Sequence, residues 1–182
     1  MKTTIGLSLA YQFSVVETTV SHHQFVTPDH LFNGVTKLED FNTAEALRQI
    51  GVPPEMVGIF VAEVTPLLAV FQRFGVSPRQ ARRTMREMYD DDGYHHGKNE
   101  RISRNDESRA AFARAEQIAQ EGSAPAMGAQ HLLSALLEID GTYMRELLDN
   151  WNIVLSDFMQ AVVSLPLELP EPSDTPRLDE YG

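Results

Sequence analysis

His30 and His131 stand 101 positions apart in similar surroundings, Asp29-His30-Leu31-Phe32 and Gln130-His131-Leu132-Leu133. A histidine titrates near neutrality, so either one beside a carboxylate could serve as the acid and base of a small hydrolase. A metal is the other chemistry such residues suggest, but one His per site lacks the further ligands that zinc requires. The preferred reading is a histidine that bonds to backbone near the start of a helix. His22-His23 and His95-His96 are adjacent pairs, and neighbours on a helix do not share a face. Asp90-Asp91-Asp92 precedes Gly93, yet the alternating ligands, the sixth-position glycine and the twelfth-position Glu of a calcium loop are missing. No catalytic residue, metal or cofactor is therefore expected. Arg79, Arg82, Arg83 and Arg86 follow i, i+3, i+4, i+7 spacing, which lines four guanidiniums along one side of a helix, opposite Met85. Such a face could hold an acidic partner. The preferred reading is a solvated face, partly neutralised by Arg83 with Glu87 and Arg86 with Asp90, exposed pairs worth about 0.3–0.5 kcal/mol each.

These residues must be positioned by helices, because apolar periodicity is helical nearly throughout and no stretch alternates with period two. Ile5, Leu9, Phe13, Val16 and Val20 predict a first helix from about Thr4 to His22. Thr27-Pro28 opens a second, with Leu31, Phe32, Val35 and Leu38 on its apolar face. Thr43 opens a short third helix that Gly51-Val52-Pro53 ends. The longest stripe runs over 54–74 through Met56, Phe60, Val64, Leu67, Phe71 and Phe74. Pro66 should kink that helix, or restart it with Thr65 as the cap. Ser77-Pro78 begins a helix that turns Ala81, Met85 and Met88 inward, and the polar stretch 90–100 is a loop. Four more helices are predicted, over about 106–121, 128–139, from Thr142 through Trp151, and through Leu155, Phe158, Val162 and Leu165.

The formal net charge of −11 argues against non-specific nucleic-acid binding, which needs a basic footprint. The absence of cysteine excludes a disulfide scaffold, a thiol nucleophile and a Cys-ligated metal. No apolar run is read as approaching the ~20 residues of a membrane span, and the N-terminus opens no secretory core, so a cytoplasmic protein is expected. From Pro166 to Gly182, four prolines and five acids against Arg177 read as an extended acidic linker.

Sliding the chain against itself by 101 residues places Ala10 on Ala111, Tyr11 on Phe112, Val26 on Met127, Val35 on Leu136 and Leu38 on Ile139. A long period present twice predicts two similar helical units packed on each other. The fold expected is all-α, a pseudo-twofold duplicated helical bundle over 1–165. Repeat one covers about 4–90, repeat two about 104–165, and an extra helical segment lies between the repeats. That surplus falls between Phe41 and Arg104, in either the 54–64 or the 78–89 helix.

The two copies FVTPDHLFNGV (25–35) and AMGAQHLLSAL (126–136) resemble the double Clp repeat at the N-terminus of Clp-type AAA+ unfoldases. The usual Gly-Thr-Glu-His-Leu-Leu motif is altered at Thr27-Pro28-Asp29 and at Ala129-Gln130. The terminal TPRLDEYG (175–182) is similar to the segment that leads into the first ATPase module of such proteins, and no G-x-x-x-x-G-K-[ST] phosphate loop occurs. The resemblance implies a domain excised before its ATPase modules. It would be non-catalytic by itself, monomeric, and bind unfolded or tagged substrates and adaptor proteins. A stand-alone adaptor is the alternative. The resemblance also implies a substrate site formed by the small polar residue opening each repeat and the residue before the motif His. Those are Thr4 with Asp29, and Asn105 with Gln130. Repeat one is the better candidate, since a carboxylate can grip a guanidinium and the Gln130 amide brings no charge. The arginine face could then contact the parent ring.

Overall fold

A computed structural model describes residues 1–169. Among these are nine α-helices: α1 (Ile5–Val20), α2 (Pro28–Lys37), α3 (Ala44–Gln49), α4 (Pro54–Arg73), α5 (Pro78–Met88), α6 (Asp106–Glu121), α7 (Ala129–Leu137), α8 (Tyr143–Asn150) and α9 (Leu155–Val163). A 3-10 turn, Leu38–Phe41, follows α2. Of the expected linker, 170–182 lies outside the described residues.

Local chemistry sets the helix starts. Thr4, Thr27, Thr43, Ser77, Asn105 and Thr142 each accept a backbone N–H from the first turn through their side-chain oxygen. α4 runs without a break through Pro66, so the helix does not restart at Thr65. It is also long and apolar enough to cross a membrane, at 20 residues and mean hydropathy 1.6, which corrects the reading that no apolar run approaches that length. In the fold it packs against α1, α3, α7 and α9, and Phe60, Val64, Leu67 and Phe71 are buried.

The duplication is real in three dimensions and keeps the register of 101. Thr3 bridges Met127, and its counterpart Arg104 bridges Val26. The hydrogen bonds match in pairs. Thr4 N donates to Met127 O and Asn105 N to Val26 O, both at 3.0 Å; Met127 N donates to Lys2 O and Val26 N to Ser103 O, both at 2.9 Å. Tyr11 and Phe112, equivalent to each other, meet edge to face at 5.8 Å near the pseudo-axis. The left-handed residues His22 and Ser123 are likewise equivalent. Within repeat one, α1 and α2 approach so closely at Gly34 that a Cβ there would strike the Ala10 carbonyl and the Ser14 hydroxyl.

Past the second helix of each repeat the offset shrinks to 77. Phe74-Gly75-Val76 closes α4 with the turn that Trp151-Asn152-Ile153 uses after α8. α5 packs on α2 and α8 as α9 packs on α7 and α4. Ala81 and Met85 of α5 are buried at positions that Phe158 and Val162 hold on α9. Thus α5 has a counterpart. The surplus falls on the other alternative, the 54–64 helix at the start of α4 together with the residues that follow Phe41, and Thr65 stands where Thr142 caps α8.

Candidate functional site

The two histidines play the same structural part. His30 Nδ1 accepts the Thr27 N–H at 3.0 Å, and His131 Nδ1 accepts the Gly128 N–H at 2.8 Å, so each caps its own helix. Neither has a carboxylate among its hydrogen-bond partners in the described residues. Burial and the nearby His23 press the His30 pKa down to about 3, and burial lowers that of His131. A ring held neutral this way is poorly suited to acid–base work. The hydrolase reading finds no geometric support.

What surrounds the two rings differs. Each ring lies beside a groove flanked by the first, second and last helix of its repeat. In repeat one the chain's own side chains fill the part of the groove around His30, and a charged cleft remains at its α5 end. With Nδ1 occupied as an acceptor, neutral His30 carries its proton on Nε2 and donates it to His23 Nδ1, 2.7 Å away. His23 in turn donates through Nε2 to the Asp90 carbonyl. Tyr89 packs edge-on against both rings, at 5.3 Å from His30 and 5.5 Å from His23. Its hydroxyl accepts from Asn33 Nδ2 at 2.8 Å, and Asn33 Nδ2 also reaches Glu17 at 3.2 Å. The buried Glu17 carboxylate takes a two-pronged grip from Arg86, Nε and Nη2 both at 2.9 Å.

In repeat two the equivalent positions carry Ala124 for His23, Ser134 for Asn33, Ile118 for Glu17, Met159 for Arg82, Val163 for Arg86 and Pro166 for Tyr89. All six line an open groove of ≈ 790 Å³ between α6, α7 and α9. Leu165 and Leu167 extend its apolar wall, and His131 lies in it. No partner for His131 Nε2 occurs among the described residues. At the rim Arg114 pairs with Glu138 at 2.9 Å and with Glu121 at 3.6 Å, which leaves one carboxylate in excess.

The arginine face differs from the solvated stripe expected. Arg82 is 4% exposed, donating to Thr36 O at 2.6 Å and to Asp40 at 3.1 Å. Arg79 reaches the same carboxylate at 3.4 Å. Arg86 pairs with Glu17, not Asp90, and no Arg83–Glu87 ion pair occurs among the described residues. The reason is tertiary: α5 packs on α2, where the Thr36 carbonyl and Asp40 of the following turn take Arg82, and α1 brings Glu17 to Arg86. Arg83 remains exposed, and the four arginines line a cleft of ≈ 500 Å³ with Lys37, Asp40 and Glu87.

The four residues implied by the resemblance all have partners inside the fold. Thr4 is buried and donates to Glu63 Oε1 at 2.5 Å. Asp29 accepts the Tyr143 and Met144 N–H groups at 3.1 and 2.9 Å, anchoring the start of α8. Burial pushes its carboxyl up, opposed by those two donors. Asn105 caps α6 through Ser108 N at 2.9 Å, and Gln130 donates to Leu165 O at 2.6 Å. Sequence reasoning missed Glu63. Its buried carboxylate accepts from Thr4, from Gly6 N and from Ala129 N, the latter two at 3.0 Å, and so ties the starts of α1 and α7 together. Burial raises its pKa and these three donors oppose the rise.

No family model matches the sequence, and no curated protein matches it. Solved structures do. The Hsp104 N-terminal domain from Candida albicans superposes with a TM-score of 0.66 at 9% identity, covering 93% of this chain and 97% of that one. The chain carries the Clp N-domain fold. The N-terminal domain of the caseinolytic protease associated chaperone ClpD from Arabidopsis thaliana agrees, with a TM-score of 0.58, 15% identity and coverage of 90% and 93%. In this example of the Clp N-domain fold both repeats keep the core of the bundle, and they part company at the two grooves.

Proposed function

We propose that this chain is the substrate-recognition domain of a Clp-type AAA+ unfoldase, non-catalytic by itself, and that it receives unfolded segments in the groove of repeat two. The fold it shares with the Hsp104 and ClpD N-terminal domains supports the assignment. The observation that carries the reading is the open groove itself. It holds ≈ 790 Å³ and sets Ile118, Met159, Val163, Leu165 and Leu167 around a few polar groups, the makeup of a binding cleft. Apolar side chains exposed by an unfolded client would gain by leaving water there, about 25 cal/mol per Å² buried. Attached to ATPase modules through 166–182, such a groove would raise the local concentration of client near the motor. Adaptor proteins, and a role on tagged clients, belong to the same reading. Within it the site drawn from Thr4, Asp29, Asn105 and Gln130 serves chiefly to hold the fold, because each side chain already has a partner.

The test is binding of a permanently unfolded fluorescent client by the full chain and by Met159→Glu, which places a charge on the groove wall. Affinity should fall at least about tenfold with the melting temperature nearly unchanged. Equal affinity in the two proteins would remove the groove from the function.

A further inference from the structure

Resting on the groove reading above, we infer that the repeat-two groove selects segments bearing an aromatic side chain beside a basic residue, and that His131 is the residue that reads them. Repeat one serves as the internal template. There the ring of His30 is covered by an aromatic, Tyr89, and its Nε2–H is taken by an acceptor, His23 Nδ1. Repeat two keeps the same histidine in the same tautomer, fixed by the Gly128 N–H on Nδ1, and among the described residues gives it neither an aromatic neighbour nor an acceptor, leaving its 7% exposed surface in the groove. Pro166 and Ala124 stand where Tyr89 and His23 would be. An incoming segment completes the arrangement by laying an aromatic ring against His131 and a backbone carbonyl on its Nε2–H. Edge-to-face aromatic contact favours this occupant over a purely aliphatic one, and the hydrogen bond, which any peptide carbonyl can make, fixes its position in the cleft.

Charge sets the second part of the preference. Arg114 faces two carboxylates, Glu121 and Glu138, and Glu121 is 69% exposed at the rim. The uncompensated carboxylate, on a chain of net charge −11, favours a Lys or Arg flanking the aromatic.

The experiment uses the full chain and four labelled unstructured peptides, with Phe or Leu at the centre and Lys or Glu beside it. Binding is measured by fluorescence anisotropy for wild type, His131→Asn and Met159→Glu. Asn keeps an oxygen able to accept the Gly128 N–H and lacks the outer donor and the ring, so it separates capping from reading. Wild type should prefer Phe-Lys over Leu-Lys by about three- to tenfold. His131→Asn should bring that ratio to about one, with Leu-Lys losing only the hydrogen bond to Nε2–H, about two- to tenfold, and Phe-Lys losing more. The Lys peptides should exceed the Glu peptides at low salt and converge in high salt. Imidazole nitrogen signals of wild type provide a check independent of any variant, since Phe-Lys should shift His131 Nε2 and leave His30 in place. Binding that Met159→Glu abolishes, with no Phe preference and no His131 shift, overturns this inference and leaves the groove reading standing. Binding that Met159→Glu leaves intact overturns both.

Discussion

The groove beside His30 and the groove beside His131 start from the same backbone, but the first is filled around its histidine and charged beyond it, whereas the second is open and largely apolar. Repeat one fills its groove around His30 with a polar network, Glu17 to Arg86 and Asn33, Tyr89 over His30, and His23 between His30 and Asp90, and leaves ≈ 500 Å³ among its arginines. Repeat two replaces those positions with Ile118, Val163, Ser134, Pro166 and Ala124 and leaves ≈ 790 Å³ open. A duplication lets one copy hold the bundle together while the other keeps apolar surface available. The network is well bonded but not complete, since the buried Asn33 Oδ1 has no partner among the described residues. Unfilled apolar clefts are tolerated where something else can enter.

Reopening the closed groove should have the largest effect. Tyr89→Ala removes a half-buried ring that packs on His23, His30 and Tyr143 and strips Asn33 of a hydrogen-bond partner. About 3 kcal/mol of stability should be lost in urea denaturation. A loss under about 1 kcal/mol would mean that repeat one does not depend on its closure.

Acid comes next. The native state holds His30 neutral, with a pKa near 3, whereas an unfolded histidine takes its proton near 6.5. Below that pH the unfolded chain binds more protons, so this contribution is complete above about pH 6.5 and lost as pH falls toward 3. The loss at pH 5 amounts to about 2 kcal/mol. Asp29 and Glu63 act in the opposite sense, because their raised pKa values let the native state take up protons first as pH falls. His131, depressed by burial alone, should titrate at a higher pH than His30 in a proton NMR titration. The reverse order would contradict the contrast between a closed and an open groove.

Closing the open groove should change binding more than stability. Ile118→Glu, Ser134→Asn and Val163→Arg together copy the network of repeat one into repeat two. Client affinity should drop about tenfold, near 1.4 kcal/mol, while the melting temperature moves little.

Much of this was legible in the residues. Caps at Thr27, Thr43, Ser77 and Thr142 act over three positions, so they survive without tertiary information. The duplication was visible in the apolar pattern, and its register of 101 holds through both bridges. The anchor at Glu63 was not legible, because its partners come from α1 and α7, 57 and 66 positions away. Nor was the burial of Arg82, which depends on Asp40 in a turn that only the packing of α5 on α2 brings close. Pro66 suggested a helix restart that the insertion overrode, since α4 extends backward through the surplus segment. The open groove did leave a trace. In the register of 101, Glu17, Asn33 and His23 meet Ile118, Ser134 and Ala124, a consistent exchange of larger polar groups for apolar or small ones.

The most direct test of the account is to map, by amide and methyl NMR on the full chain, where a permanently unfolded client binds. Shifts gathered at Ile118, His131, Met159 and Val163, with Glu17, His30 and Tyr89 unmoved, are the result predicted. Shifts centred on the repeat-one network, or spread evenly over both repeats, would contradict it.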